Sequence, residues 1–166
     1  EGLMMGTRSG DMDPAIVGFI AEKENLTAAE VINICNKKSG VLGLSGISSD
    51  FRDLVEAAAA GNDHAQTTLE AYAYRIIKYI GSYIAAMGGV DVITFTAGLG
   101  ENAIPLRETI CKAFEFMGLE FDSEANNCRG VEKIITKEGS KITACVIPTN
   151  EEIAICEETV ELVKGK

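Results

Sequence analysis

The sequence predicts an α/β fold with many helices and few strands, and three observations carry this prediction. Apolar residues recur at three- and four-residue spacing over 62–87, which is typical of one face of a long helix. Residues 91–96 are rich in β-branched and aromatic side chains, as strands are, and a glycine-containing segment follows them. Residues 131–136 and 141–147 are two further strand patterns, joined by a hairpin signal at 138–140.

Helix-start signals define the elements that precede the long helix. Asp13-Pro14 supplies an N-cap followed by a proline at the first helical position. Thr27 and Glu30 have the spacing of a capping box that opens a second helix. The glycine- and serine-rich segment 39–49 is expected to be a loop, and 50–61 is expected to be helical.

The long helix and the elements after it follow from the same rules. The stripe along 62–87 is expected to be core, with a dimer contact as the second choice; its members are Ala65, Leu69, Tyr72, Ile76, Ile80, Tyr83 and Met87. After the strand at 91–96 we expect, in order, a glycine turn, a helix at about 103–117, a short strand near 119–121, the hairpin and a final helix over 151–164. Thr149 and Glu152 would form the capping box of that last helix.

Composition and charge exclude several classes of partner. The chain has 166 residues, of which 46% are hydrophobic, and this suits a globular domain. Its net charge is −10 with no basic stripe, so neither nucleic acid nor a membrane is expected as a partner. Five cysteines without a C-x-x-C pair, and one histidine, His64, argue against a zinc site. The thiols are expected to be mostly buried and reduced, as in a cytoplasmic protein, and His64 to be solvated.

The segment FTAGLGEN, residues 95–102, continues into Ala103 and so spells G-x-G-x-x-A between a predicted strand and a predicted helix. Such a segment can place backbone N–H groups against phosphates. Three interpretations stay open from these residues alone: a nicotinamide-dinucleotide site, a nucleoside-triphosphate site and a tight turn. Glu120 or Asp122 lies near the distance of the ribose-binding acid in the dinucleotide fingerprint. The late position of the segment and the hairpin that follows it count against that fingerprint.

Four stretches together resemble the acetate kinase family. They are Gly6-Thr7-Arg8-Ser9-Gly10-Asp11-Met12-Asp13-Pro14, Ser49-Asp50-Phe51-Arg52, FTAGLGEN and Pro148-Thr149-Asn150-Glu151-Glu152. The first looks like that family's second signature motif, and the resemblance extends in order over essentially the whole chain. It implies a ribonuclease H-like, actin-like ATPase fold, truncated at its N-terminal side, which is helix-rich with a small mixed sheet.

The resemblance concerns the C-terminal, nucleotide-binding domain of that family, so residues 1–166 are expected to be this domain. The family's N-terminal domain, with its N-K-G-S-S-S-type signature, and its upstream phosphate hairpin have no counterpart in the sequence. The chain alone is therefore expected to be inactive. The whole enzyme would transfer the γ-phosphoryl group of MgATP directly to acetate, reversibly, giving acetyl phosphate and ADP. A cytoplasmic homodimer is implied as well.

The resemblance also implies roles for individual residues. Arg8 would be catalytic, because a planar fork of donors can stabilise the charge of a phosphoryl group in transit. The nucleotide would be bound by Asp50, Phe51, Arg52, Gly98, Leu99, Gly100 and Asn102. Glu151 would help to hold the Mg²⁺ that accompanies ATP or ADP, usually through water.

Most of these residues also have a structural interpretation. Asp50 suits a helix cap, Phe51 a core position and Arg52 a solvated surface. Asp11 would orient the loop or Arg8. Glu101 would be an early-helix carboxylate, favourable with the helix dipole. Two other functions therefore stay beside the kinase: a dinucleotide-binding module of the Rossmann type, which binds NAD, and a non-catalytic dimerisation fragment.

Overall fold

The computed structural model describes residues 2–165 and divides them into two compact units, one through Ala86 and one from Met87 onward. The helices of the first unit are α1 (Ala15–Glu24), α2 (Ala28–Lys37), α3 (Gly40–Ser45), α4 (Phe51–Ala59) and α5 (Asp63–Met87), whose last residue opens the second unit. The second unit contains β1 (Val92–Phe95), α6 (Ala97–Asn102), α7 (Ile104–Lys112), a 3-10 turn (Glu115–Met117), β2 (Lys133–Ile134), β3 (Thr143–Val146) and α8 (Glu151–Lys164).

The predicted cap of α2 is confirmed, whereas α1 begins at Ala15, one residue later than predicted, with Pro14 in the N-cap position and Asp13 still capping it. The Asp13 carboxylate accepts a hydrogen bond of 2.9 Å from the backbone N–H of Ala15 at the start of α1. Thr27 and Glu30 form both halves of the capping box of α2, each side chain accepting from the other residue's backbone N–H. These three bonds satisfy donors that a helix start otherwise leaves without a partner.

The prediction of a loop over 39–49 is wrong, because α3 forms inside it. Gly40 opens α3 at φ +63°, in the left-handed region that favours glycine. A Cβ atom on Gly40 would overlap the carbonyl oxygen of Met5 and would lie 2.8 Å from that of Arg8. Glycine at this position therefore lets α3 begin directly against the backbone of the N-terminal loop.

Helix α5 matches the predicted long helix, but its apolar stripe is buried only in part. Ala65 is fully buried in a core with Met4, Val41 and Leu54, against which Leu69 and Tyr72 pack. Tyr83 and Met87 are 59% and 65% exposed, so the prediction that the whole stripe is core is wrong at its C-terminal end. His64 is exposed, as predicted.

The second unit contains a mixed three-stranded sheet of order β1-β3-β2. Strand β1 runs parallel to β3, and β2 runs antiparallel to β3, which confirms the predicted hairpin. Alternate residues of β1 and β3 are buried, namely Ile93, Phe95, Ala144 and Val146, so one face of the sheet carries the core. The strand predicted near 119–121 is reduced to a single bridge between Phe121 and Thr136. The final helix, α8, has the predicted bounds.

All five cysteines are free thiols, but they differ in burial. Cys111 and Cys128 are buried, and burial raises the pKa of the Cys111 thiol to about 12. Cys35 and Cys145 are half-buried and Cys156 on α8 is exposed, so fewer of the thiols are buried than predicted. Within residues 2–165, no helix is long and apolar enough to cross a membrane.

We expect Cys111 to resist thiol reagents in the native protein and Cys156 to react first. The thiolate is the reacting species, and the Cys111 thiol is both enclosed and far from ionised at neutral pH. The time course of the reaction with a chromogenic disulfide would separate fast-reacting from slow-reacting thiols. The Cys156→Ser variant should lack the fast phase of this time course. All five thiols should react in denaturant. Labelling of native Cys111 in the fast phase would contradict the burial described here.

Candidate functional site

Residues 2–12 form an N-terminal loop, which carries Arg8, and its backbone is held by neighbouring helices. Backbone groups of Met5, Thr7 and Ser9 bond to the end of α2 and the start of α3 over 2.9–3.0 Å. The N–H of Met5 also donates to the carbonyl of Arg8 at 3.0 Å and closes a turn. Within residues 2–165, the exposed Arg8 guanidinium has no hydrogen bond or ion pair. The loop therefore presents a cation on a fixed backbone.

The ends of the N-terminal loop meet beside α5. The N–H of Asp11 donates to the carbonyl of Gly2 at 2.9 Å. The Tyr79 hydroxyl donates to the Asp11 carboxylate, and the Arg75 guanidinium lies 3.7 Å from the same oxygen. Asp11 therefore anchors the loop to α5.

Asp50 and Arg52 form an ion pair at the start of α4. The Asp50 carboxylate accepts from the Arg52 backbone N–H at 2.9 Å and so caps the helix. It also accepts from the Arg52 side chain, at 3.1 Å from Nε and 2.6 Å from Nη2. These side-chain bonds lower the pKa of Asp50 to about 2. The Arg52 side chain is 87% exposed, and the pair leaves other guanidinium N–H groups available to a ligand.

Phe51 faces the interior more than solvent. Its ring meets that of Tyr72 edge-to-face, with the centroids 4.5 Å apart, and it packs against the core of the first unit. The segment also lies next to the N-terminal loop, because a Cβ atom on Gly6 would be 3.2 Å from the carbonyl oxygen of Ser49. The structure thus brings the loop of Arg8 and the segment of Asp50 together within the first unit.

The glycine segment is a short helix, α6, and not the predicted turn. Ala97, its first residue, has φ +58°, a left-handed conformation that costs about 1–2 kcal/mol for a residue with a side chain. A Cβ atom on Gly100 would lie 3.0 Å from the backbone of Phe95, so close packing against β1 explains the glycine there. Strain of the kind seen at Ala97 is typical of functional segments.

Protein packing does not explain the other glycine of this segment. No atom lies within 4 Å of the place that a Cβ on Gly98 would occupy. Asn102 donates from its side-chain amide to the Gly98 carbonyl at 2.9 Å, and Leu99 accepts from the N–H of Ala103 at 2.9 Å. The exposed backbone at Gly98 leaves room for a ligand to approach closely.

The segment departs from the dinucleotide fingerprint at several points. Both glycines lie inside a helix, and the strand that pairs with β1 is β3, which comes after the hairpin turn. Asp122, a candidate for the ribose, instead caps the N–H groups of Glu124 and Ala125 at 3.0 and 2.9 Å. The geometry of the second unit therefore gives no support to the dinucleotide interpretation.

Glu101 joins the glycine segment to the start of α8. Its carboxylate accepts from both the backbone N–H and the hydroxyl of Thr149, at 2.8 and 3.0 Å. The backbone bond from Thr149 is the main cause of a lowered pKa of Glu101. The predicted Thr149–Glu152 capping box is wrong, because Asn150 caps α8 instead by accepting from Ile153 at 3.1 Å. Glu101 was expected to interact with a helix dipole, but its carboxylate instead joins the glycine segment to Thr149.

Glu151 is the first residue of α8 and is exposed. Within residues 2–165 there is no group of three or more His, Cys, Asp and Glu side chains that could hold a metal ion. A single carboxylate suits an ion such as Mg²⁺, which keeps several waters and takes its other ligands from substrate phosphates. Glu151 thus fits a metal that arrives with a nucleotide rather than a resident metal.

Arg107 on α7 is a buried residue that the sequence predictions did not include. Its side chain is fully buried and donates from Nη1 to the carbonyl of Gly100 at 2.9 Å. Nε donates to the Asn126 side chain at 2.8 Å, and Nη2 to the carbonyls of Asn126 and Cys128 at 2.9 and 2.7 Å. Burial lowers the pKa of Arg107, although a guanidinium stays charged in proteins. Arg107 therefore holds the glycine segment from inside the unit.

The chain is similar to known proteins over nearly its whole length, so the similarity includes all of these segments. Residues 1–157 match the model of the acetokinase family. An acetate kinase of Lachnoclostridium phytofermentans is 60% identical over 163 residues, which are 98% of this chain and 41% of the relative. One of Carboxydothermus hydrogenoformans is 58% identical over 166 residues, or 100% of this chain and 42% of the relative. The chain thus spans about two fifths of the length of these curated relatives.

Solved structures of kinases are similar to this chain as well. The crystal structure of Porphyromonas gingivalis acetate kinase matches with a TM-score of 0.91 at 52% identity, over 98% of this chain and 41% of that one. A propionate kinase from Francisella tularensis matches with a TM-score of 0.83 at 36% identity, over 92% and 38%. The helix-rich fold with a small mixed sheet is therefore the actin-like ATPase fold that the sequence resemblance implies. With its family model, relatives and fold in agreement, the chain belongs to the acetokinase family.

Proposed function

We propose that this chain is the nucleotide-binding part of an acetate kinase, with residues 1–166 as its C-terminal domain. The observation that carries the proposal is Arg8, an exposed guanidinium without a partner in the described chain, on a loop with a fixed backbone. The Arg8 guanidinium is thus available to donate to the oxygens of a bound phosphoryl group. The relatives carry the name acetate kinase, and we propose the corresponding reaction for the whole protein: reversible transfer of the γ-phosphoryl group of MgATP to acetate.

In the proposed reaction, Arg8 acts on the phosphoryl group in transit. An in-line transfer spreads negative charge over three equatorial oxygens, and a guanidinium fork can donate to two of them at once. Because the loop backbone is already bonded to α2 and α3, little reorganisation accompanies this contact. Acetate would supply the attacking carboxylate oxygen, and ADP would leave.

The nucleotide contacts are proposed separately for each unit. Asp50, Phe51 and Arg52 would meet the adenosine with a carboxylate for the ribose, a ring edge and the free N–H groups of Arg52. The backbone of Gly98, Leu99 and Gly100 would approach adenine and ribose closely, and Asn102 would contact adenine. The open space at Gly98 leaves room for this close approach.

Glu151 would hold Mg²⁺ bound to ATP or ADP through water. When bound, the ion would supply positive charge that offsets part of the negative charge of the phosphates. The link from Glu101 to Thr149 supports this role, because it fixes the start of α8, where Glu151 stands, against the glycine segment. Glu151 itself would orient the bound waters as a hydrogen-bond acceptor.

The proposal extends to the whole protein. Acetate is proposed as the carboxylate, since the curated relatives at 56–60% identity carry that name, and one structural neighbour is named a propionate kinase. The ratio of kcat/KM for acetate and propionate tests this choice.

We further propose a cytoplasmic homodimer without nucleic acid or membrane partners, and sedimentation of the full-length gene product tests the oligomeric state. This chain without the rest of a kinase is proposed to bind nucleotide but to be inactive.

We expect the full-length gene product to bind MgADP, and Arg52→Ala to weaken that binding about tenfold, because one hydrogen bond from a charged group contributes roughly 1.5–3 kcal/mol. Calorimetric titration measures the affinity. Arg129→Ala, which removes another exposed arginine, is the matched control and should bind as the wild type does. NAD serves as the competitor. Tight binding of NAD without binding of MgADP would overturn the kinase assignment in favour of a dinucleotide module.

A further inference from the structure

Two polar side chains of α5, Arg75 and Tyr79, stand one helical turn apart and reach the same place on the N-terminal loop. The Tyr79 hydroxyl donates to the Asp11 carboxylate, and Arg75 Nη2 lies 3.7 Å from the same oxygen. Arg75 Nη2 also donates to the carbonyl of Gly2 at 3.4 Å. The two side chains therefore contact both ends of the loop.

The loop ends are also closed on each other. The N–H of Asp11 donates to that same Gly2 carbonyl at 2.9 Å, so Gly2 accepts from both the loop and α5. A Cβ atom on Gly2 would overlap the Tyr79 hydroxyl. Gly10 turns the chain at φ +75°, and a Cβ there would be 2.6 Å from the Gly2 carbonyl oxygen. The close approach of these backbones shows that this junction is packed tightly.

The junction has an electrostatic consequence for Arg8. Asp11 is three residues from Arg8 in sequence, and its carboxylate lies 3.7 Å from the Arg75 guanidinium. Because Asp11 is paired with Arg75 and accepts from Tyr79, it has partners other than Arg8. A carboxylate freed from α5 would compete with a phosphoryl group for the Arg8 guanidinium.

We propose that Tyr79 and Arg75 are positioning residues for phosphoryl transfer, which hold the Arg8 loop closed and keep Asp11 away from Arg8. This inference rests on the proposed kinase function. Neither residue touches the reacting atoms in this scheme. Both act through Asp11 and Gly2, so their loss should affect the transition state, where Arg8 is used, more than the binding of nucleotide.

The test compares two tyrosines of the same helix in the full-length gene product. Tyr79→Phe removes the hydroxyl that bonds Asp11 and keeps the ring. Tyr83→Phe is the matched control, because Tyr83 is an exposed neighbour whose ring centroid is 6.1 Å away and whose hydroxyl has no bond within the described residues. For Tyr79→Phe we expect kcat to fall about tenfold with KM for MgATP changed less than about twofold, since small misplacements at a transferring group cost one or two orders of magnitude. Tyr83→Phe should match the wild type.

Two further measurements separate positioning from general stability. The assays run well below the unfolding temperature of each variant, and amide exchange at Asp11 should be about tenfold faster in Tyr79→Phe than in Tyr83→Phe. The loss of kcat in the double variant of Tyr79→Phe with Asp11→Ala should be smaller than the product of the single losses, because both act through one contact.

The outcomes separate this inference from the proposed function. A wild-type protein that transfers no phosphoryl group from MgATP to acetate overturns the kinase function, and the positioning role with it. An active wild type in which Tyr79→Phe and Tyr83→Phe have the same kcat overturns the positioning role alone. Full additivity of Tyr79→Phe and Asp11→Ala would also count against it.

Discussion

Replacement of Arg8 by alanine in the full-length gene product is expected to lower kcat by about a thousandfold, the lower end of the effect of arginines that stabilise phosphoryl transfer. KM for MgATP should change far less, because the contact strengthens as charge develops on the transferring group. The free energy of unfolding should stay within about 0.5 kcal/mol of the wild type, since the exposed Arg8 side chain makes no bond within the described chain. Coupled measurement of ADP formation gives kcat, and urea unfolding gives the stability.

Arg8→Lys separates charge from geometry. Lysine keeps the positive charge but lacks the planar fork, so we expect it to recover only part of the lost kcat. Arg129→Ala is the control for the loss of an exposed arginine elsewhere. A kcat for Arg8→Ala within about threefold of the wild type would overturn the catalytic assignment, because a contact made in the transition state is worth far more than that. Unfolding of Arg8→Ala at ordinary temperature would instead assign Arg8 to the structure.

The parts of the fold that the sequence predicted correctly depend on neighbours a few residues apart. The Thr27–Glu30 capping box and the Asp50 cap span two or three residues, and the long helix α5 repeats its pattern over seven turns or so. Predictions from neighbouring residues were wrong where packing against a distant segment determines the local structure. The segment 39–49 contains α3 because Gly40 can accept a left-handed conformation against the N-terminal loop, and composition alone indicated a loop.

The contacts that organise the candidate site join residues far apart in sequence. Glu101 and Thr149 are 48 residues apart, and Asp11 and Tyr79 are 68 apart, so no local pattern could pair them. The glycine segment has the same limit: its spacing suited a dinucleotide turn, but it forms a helix that packs on Phe95 through Gly100. The family resemblance identified these segments as functional without showing which contacts hold them.

Arg107 did leave a signal in the sequence. It precedes Ile110, Cys111 and Phe114 by three, four and seven residues, and all three are buried. A charged residue on an apolar helical stripe indicates a buried polar network, since an isolated buried charge costs several kcal/mol. The residues that complete the network, Gly100 and Asn126, could not be found this way, because they belong to other segments.

Arg107→Met is expected to lower the free energy of unfolding by about 3 kcal/mol. Methionine fills similar space, but it leaves the buried carbonyls of Gly100, Asn126 and Cys128 without their donor, at roughly 1–3 kcal/mol for each group that water does not reach. The methionine variant no longer has to bury a charged guanidinium, and this gain offsets part of the cost. Urea unfolding at unchanged m-value measures the difference as a shift of the midpoint.

Two further variants show whether the loss of stability comes from the hydrogen bonds of Arg107. Arg107→Lys tests the role of its charge, and Arg129→Met tests the loss of an exposed arginine. Lysine keeps the charge but cannot donate in the fixed fork that reaches Gly100 and the 126–128 segment at once, so it should restore less than half of the lost stability. Arg129→Met removes an exposed arginine that directly follows Cys128 and should change stability by less than about 0.5 kcal/mol. Because Arg107 bonds the Gly100 carbonyl, Arg107→Lys should also weaken MgADP binding, by about tenfold, under conditions in which the protein remains folded. Equal stability of Arg107→Met and Arg129→Met would show that the buried guanidinium does not hold the glycine segment in place.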